Sequence, residues 1–308
     1  MLSATSFECP ESLLRQARQH PPIPVAVVRA NSRLTLESAR LASDHEIAAP
    51  ELVGDPAVIH DLCAEIGWDI RGVPVHAATS EEQAAFIAVG LARQRRIAAL
   101  MKGDLHTDTL MRAILSRDQG LGTGRHMSHV FRMTLPDSDA ALCITDAVVN
   151  VLPTVEHKVA IARNAIELLQ ALGQDRINVA ILSATEVQTP SMPSSVEAAE
   201  VCRSLAGQLP AGVEVAGPMA LDIAVSADAA KRKGVTGPVA GRADVLLVPN
   251  IETGNALFKI MVHFMGATAA GIVLGARVPV MLTSRGDPVE ARLASAALAA
   301  IYSRAGPR

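Results

Sequence analysis

The chain has 308 residues, 49% apolar and 19% charged, enough to bury one large core or two ordinary ones and too apolar for extended disorder. A net charge of -3 and a pI near 6.3 supply no basic field for a polyanion, so nucleic acid is excluded as an expected partner. No apolar run approaches the ~20 residues of a membrane helix, and the opening segment carries acids without an apolar core of signal-peptide length; a cytoplasmic protein away from membranes is expected.

Aromatic residues make up only 2%, with Trp68 and Tyr302 alone of their types, so the core must be built from Ala, Val, Leu and Ile. Side chains of this size suit helices packed closely on a parallel sheet. Short Val/Ile/Leu runs alternate along the chain with stretches of helical period, as in βαβ units. Strands are expected at 23–28 and 73–76, a helix at 80–95, then strands at 98–101 and 141–145. A helix at 154–172, a strand at 178–182, a helix at 194–208 and a strand at 244–248 follow. The last elements are a helix at 252–265, strands at 271–274 and 278–282, and a helix at 288–302. Seams near Thr145 and Ser284 divide the chain into a first α/β domain, 1–143 plus 284–308, and a second, 144–283, with the active site expected in a cleft between them. Cys9, Cys63, Cys143 and Cys202 lack CxxC spacing and read as reduced thiols.

The most informative segment is ADVLLVPNIETGNALFK at 243–259. Here a buried strand runs into Pro249 and Asn250, then Gly254 and Asn255, and a helix. Loops at strand carboxyl ends are ligand sites in open α/β sheets, and helix N-termini offer free N–H groups. A turn shaped by Pro249 and Gly254 and capped by Asn250 explains the same spacing equally well. In PVMLTSRGDPVEARLAS a strand delivers Ser284, Arg285 and Gly286 just before a helix, a placement suited to an anion. Asp287, Pro288 and Glu290 there also have the form of a capping box.

Weaker signals are TGRHMSH, a glycine-rich loop with Arg125, Ser128, His126 and His129, and KGDLHT, where Lys102 follows a strand. The two histidines have no third ligand nearby, so no metal site is expected. Asp222, in AGPMALDIA, fits a helix surface or a ligand cleft. A dinucleotide fingerprint, a P-loop, GxSxG and HExxH are all missing from the sequence.

In their order along roughly residues 98–302, KGDLHT, the Ser128–His129 pair, TDAVVNVLP, AILSATE, AGPMALDIA, VLLVPNIETGNALFK and PVMLTSRGD resemble the phosphate acetyltransferase and phosphate butyryltransferase family. The resemblance implies a two-domain αβα sandwich with parallel or mixed sheets, similar to isocitrate and isopropylmalate dehydrogenases. It implies a homodimer or higher homo-oligomer that takes CoA or acyl-CoA, acyl phosphate and inorganic phosphate as substrates, with no bound prosthetic group. In the direct-transfer chemistry of the family, the CoA thiolate attacks the carbonyl of an acyl phosphate and releases phosphate. Ser284 would then hydrogen-bond at the reacting centre, Arg285 would hold a phosphate of CoA or acyl phosphate, and Ser128 would help bind the transferred phosphate. Lys102, Arg125, Asp222, Asn250, Gly254 and Asn255 make up the expected substrate-binding set. In the acetyltransferase branch an aspartate seven positions after the SRG serine serves as base for the thiol, whereas Ala291 stands there in this chain. The ARLAS that follows leans toward the butyryltransferase-like branch, including domains fused to enoyl-CoA hydratases. Two other readings are a CoA-sensing domain without turnover and a decarboxylating dehydrogenase, the second requiring a metal-binding aspartate cluster.

Overall fold

The structure, a computed structural model, describes residues 8–136, 138, 140–283 and 286–305. Its contacts group into two compact units, one holding 8–125 together with 268–305 and the other 126–267. In chain order the first unit contributes α1 (Glu11–Ala17), β1 (Ile23–Val28), α2 (Arg33–Asp44), β2 (Ala48–Gly54), α3 (Pro56–Glu65), β3 (Val75–Ala77), α4 (Glu81–Arg93), β4 (Ala99–Lys102) and α5 (Thr107–Leu115). The second holds β5 (Ser128–Thr134), β6 (Ala141–Thr145), α6 (Val155–Ala171), β7 (Ile177–Leu182), α7 (Pro193–Leu205), β8 (Val213–Met219), α8 (Leu221–Val225), α9 (Ala227–Arg232), β9 (Val245–Leu247) and α10 (Ile251–Met265). The first unit is completed by β10 (Thr268–Leu274), β11 (Val280–Met281) and α11 (Val289–Ala305).

Within the first unit the strand order is β3-β2-β1-β4-β11-β10. Its neighbours run parallel except β10, which is antiparallel to β11. The second unit has the order β5-β6-β9-β7-β8, parallel except for the antiparallel pair β5 and β6. The fold is therefore mixed α/β. Side-chain oxygens of Ser32, Asp55, Ser80, Thr154, Ser226 and Asn250 accept from backbone N–H groups of the first turns of α2, α3, α4, α6, α9 and α10. Caps of this kind are each worth about 1 kcal/mol.

All strands and helices expected from periodicity are present within a few residues. Three strands escaped it. β2 (AAPELVG) and β8 (VEVAGPM) contain Pro, Glu or Gly that break an apolar run, and β5 (SHVFRMT) begins inside what reads as a glycine-rich loop. The contact units turn at His126 and Thr268 rather than at Thr145 and Ser284. Thr145 cannot end a unit here because it pairs with Val130 on one side and Leu247 on the other.

The last helix packs on the unit that contains the first half of the chain. α11 lies against β10, β11, β4, α1 and α2, and Ala291, Ala294, Ala296, Ala297, Ala299 and Ala300 are all buried. A helix buried on every side needs small residues where neighbours come close. Ser295 ties it to the sheet, its Oγ accepting from Gly271 N at 2.9 Å and donating to Ala291 O at 2.9 Å. The first backbone bond of α11 runs from Arg292 N to Pro288 O at 3.2 Å. Pro288, rather than Asp287, therefore stands at the cap. Because Ala297 is fully buried, Ala297→Leu should overpack the helix and lower stability by about 1–3 kcal/mol. Urea unfolding followed by circular dichroism measures this as a lower midpoint at unchanged slope.

Candidate functional site

In the second unit, polar groups gather where β6 and β9 end and β5 begins. Asp146, the residue after β6, is 2% exposed, yet its carboxylate has four donors. Oδ1 accepts from Val148 N at 2.8 Å and Val149 N at 2.9 Å, while Oδ2 accepts from His129 N at 3.0 Å and Asn150 Nδ2 at 2.7 Å. A buried charge is tolerable only when its lone pairs are satisfied in this way. The same Asn150 Nδ2 donates to Met127 O at 3.0 Å. That leaves Oδ1 as the acceptor, so His126 donates to it from Nε2 at 2.8 Å. His126 also stacks on His157, ring centroids 4.1 Å apart.

α10 meets this cluster through its first turn. Asn250 caps it, Oδ1 accepting from Thr253 N at 3.0 Å and Thr253 Oγ1 at 2.6 Å, so the capping role read from spacing is realised. Gly254 is needed for close approach, since a Cβ there would lie 2.9 Å from Ala147 Cα and 3.0 Å from Asp146 O. Ile251 N donates to Val151 O at 3.0 Å. Segments 126–129, 146–151 and 250–254 are thereby held together, and Asn255 follows on α10, half-buried.

Ser128 and His129 are not in a loop. They open β5 and are both 0% exposed, because antiparallel pairing with β6 draws the chain into the sheet. Ser128 Oγ accepts from Asn164 Nδ2 at 2.8 Å, and the same amide donates to His126 O at 3.0 Å. Neither ring nitrogen of His129 has a partner, and the ring packs edge-on against Phe131, which stacks on Phe258 of α10. Burial outweighs the nearby Asp146 charge and depresses the His129 pKa to about 4. Asp222 sits exposed on α8, ion-paired with Lys233 at 3.0 Å, which lowers its pKa.

Lys102 and Arg125 belong to the first unit. Lys102 ends β4 and is 5% exposed, and Arg125 lies half-buried in the segment after Gly124. Val280 and Met281 pair in parallel with Leu100 and Met101, so the segment toward Ser284 leaves the sheet at the same edge as Lys102. Ser284 and Arg285 themselves lie outside the described residues. Among those residues, no group of three or more His, Cys, Asp or Glu is placed to hold a metal ion, and no helix is long and apolar enough to cross a membrane. Burial pushes the thiols of Cys143 and Cys202 up to about 12 and about 11, which removes both as thiolates near neutral pH. Sequence reasoning passed over Asp146, Asn150 and Asn164. The signal was an Asp directly after a strand with Asn four residues on, and an Asn on the apolar face of a helix.

His129 gives a pH signature. An unfolded imidazole gains its proton below about 6.5, while the folded one resists until about pH 4. The unfolded chain thus binds more protons between these values. The contribution of His129 is present above pH 6.5 and is lost as pH falls toward 4, at up to about 1.4 kcal/mol per unit. Urea unfolding of the wild type and His129→Leu at pH 7 and pH 5 should show a smaller loss in the variant.

Comparisons with known proteins place the chain in a family. The family described as phosphate acetyl/butaryl transferase matches residues 71–300. A phosphate acetyltransferase of Rhizobium meliloti is 42% identical over 294 residues, spanning 95% of this chain and 93% of that protein. A phosphate butyryltransferase of Clostridium acetobutylicum is 40% identical over 280 residues, spanning 91% and 93%. Among solved structures, a branched-chain phosphotransacylase from Enterococcus faecalis V583 superposes with a TM-score of 0.79 at 30% identity, over 91% of this chain and 99% of that one. With the match running through β4, the Asp146 network, α10 and α11, this chain belongs to the phosphate acetyl/butyryl transferase family.

Proposed function

We propose that this protein is an acyltransferase that moves a short acyl group, acetyl or butyryl, between CoA and inorganic phosphate. The observation that carries this reading is the match of more than nine-tenths of the chain to phosphate acyltransferases over nearly their whole lengths. Acetyl and butyryl relatives stand at almost equal identity, so both acyl groups belong in the reading. The finer fold is a two-domain αβα sandwich of the isocitrate and isopropylmalate dehydrogenase kind, working as a homodimer or higher homo-oligomer in the cytoplasm.

In the reaction the CoA thiol loses its proton and the sulfur attacks the acyl phosphate carbonyl. The C–S bond forms, the carbonyl carbon–oxygen bond to phosphate breaks, and inorganic phosphate leaves. Two anionic reactants must be brought together, so fixed cations and donors do most of the work through proximity and charge stabilisation. Lys102, Arg125, Arg285, Ser284 and the α10 entry at Asn250, Gly254 and Asn255 are the groups proposed to hold them. Ser128 is proposed to support the phosphate site from its buried place beside Asn164. Ala291 offers only a methyl group where the acetyltransferase branch has an aspartate, so the thiol proton must go elsewhere.

Purified protein mixed with CoA and acetyl, butyryl or isobutyryl phosphate should form thioester, followed by its ultraviolet absorbance. Absence of thioester with all three would overturn the reading. Arg285→Ala should raise KM for CoA or acyl phosphate roughly ten- to a hundredfold, the worth of a charge-assisted bond of ~1.5–3 kcal/mol, with little change in melting temperature. Arg285→Lys should recover only part, because lysine lacks the planar fork.

A further inference from the structure

The first unit contains a further cation, Arg29, that the sequence did not point to. From β1 its sheet grows to β2 and β3 on one side and to β4 and β11 on the other, so strand order reverses between β1 and β4. Outside the carboxyl ends at such a reversal, open α/β sheets have their ligand crevice. Arg29 is the first residue beyond β1 and Lys102 the last of β4, with Val28 paired to Lys102. The two exits are held tightly together. Gly103 N donates to Val28 O and Asp104 N to Arg29 O, both at 2.9 Å. A Cβ on Gly103 would come within 2.5 Å of both carbonyl oxygens.

Arg29 is poorly provided for by the protein. It holds φ at +60°, a left-handed value that few non-glycine residues adopt. Its Nη1 is buried without a hydrogen-bond partner, and no ion pair involves it among the described residues. Beyond β11, on the other side of β4, Thr283 is only 8% exposed and its Oγ1 is likewise buried and unpartnered. The parallel register of β11 with β4 brings Thr283 to the same edge as Lys102. A buried guanidinium nitrogen and a buried hydroxyl left unpaired are costly in a folded protein, unless an anion completes them.

We infer that Arg29, Lys102 and Thr283 form a subsite for a phosphoryl group at the strand-order reversal between β1 and β4. The inference rests on the phosphate acyltransferase reading for the source of that group: the transferred phosphate, or a phosphate of CoA. Arg29 supplies the planar fork that a tetrahedral oxyanion takes up.

Calorimetric titration of the intact protein with inorganic phosphate and, separately, with CoA tests the subsite without needing turnover. In Arg29→Gln, Kd for one of these ligands should rise roughly tenfold or more. A rise for inorganic phosphate assigns the subsite to the transferred group; a rise for CoA alone assigns it to a CoA phosphate. Arg29→Gly should lose the same affinity while melting no lower than the wild type, since it relieves the left-handed backbone and the unpaired nitrogen. Kd values for both ligands within twofold of wild type would overturn the inference, as would a lowered melting temperature with unchanged affinities. Wild-type protein that binds phosphate but forms no thioester would instead refute the acyltransferase reading and leave the subsite standing.

Discussion

Parallel pairing constrains where chemistry can occur in this protein. Strands that run the same way expose their carboxyl ends along one edge, and each must hand its chain to a helix that returns across a face. In the first unit, β1, β2, β3, β4 and β11 are so arranged, and Arg29, Lys102 and Thr283 are the residues met on leaving three of them. In the second unit, β6, β9, β7 and β8 share an edge, and Asp146 and Asn250 are delivered there. The antiparallel β5 starts at that edge instead of ending there, which is how Ser128 and His129 join a cluster otherwise built from strand exits.

Shortage of aromatic residues shapes the packing around these edges. With Ala, Val, Leu and Ile filling the interior, backbones approach closely, and the contacts that matter are often made by an absent side chain, as at Gly103 and Gly254. α11 shows the same economy, buried along most of its length by alanines and pinned to β10 by Ser295. Close approach leaves little room for water, so each buried polar group must find protein or ligand.

Buried polar groups accordingly divide into two sets. Asp146, Asn164 and the Lys158–Glu197 pair between α6 and α7 are satisfied by protein partners, and they hold the site in shape. Arg29 Nη1 and Thr283 Oγ1 are not satisfied. Satisfied networks make a scaffold rigid at little net cost, whereas unsatisfied donors at a strand exit are binding capacity held in reserve. The His129 ring, also unpartnered, differs in that it lies among Phe131 and Asp146, inside the packing of β5.

Local pattern was enough for much of this molecule. Apolar period established the α/β class, five long helices and eight strands, because burial of one face imposes a repeat visible in a short window. Ordered motifs established the family, and strand–loop–helix transitions marked Lys102, Asn250 and Gly254 as residues at strand exits. Pattern could not establish the strands interrupted by Pro50 or by Gly217 and Pro218, since their pairing partners are remote and override local preference. Nor could it tell that Ser128 opens a buried strand, that Asp222 pairs with Lys233, or that Arg29 and Lys102 leave adjacent strands. The strand placements among these facts depend on pairings between separate elements, such as Val130 with Thr145 and Val28 with Lys102, where no local repeat carries the information.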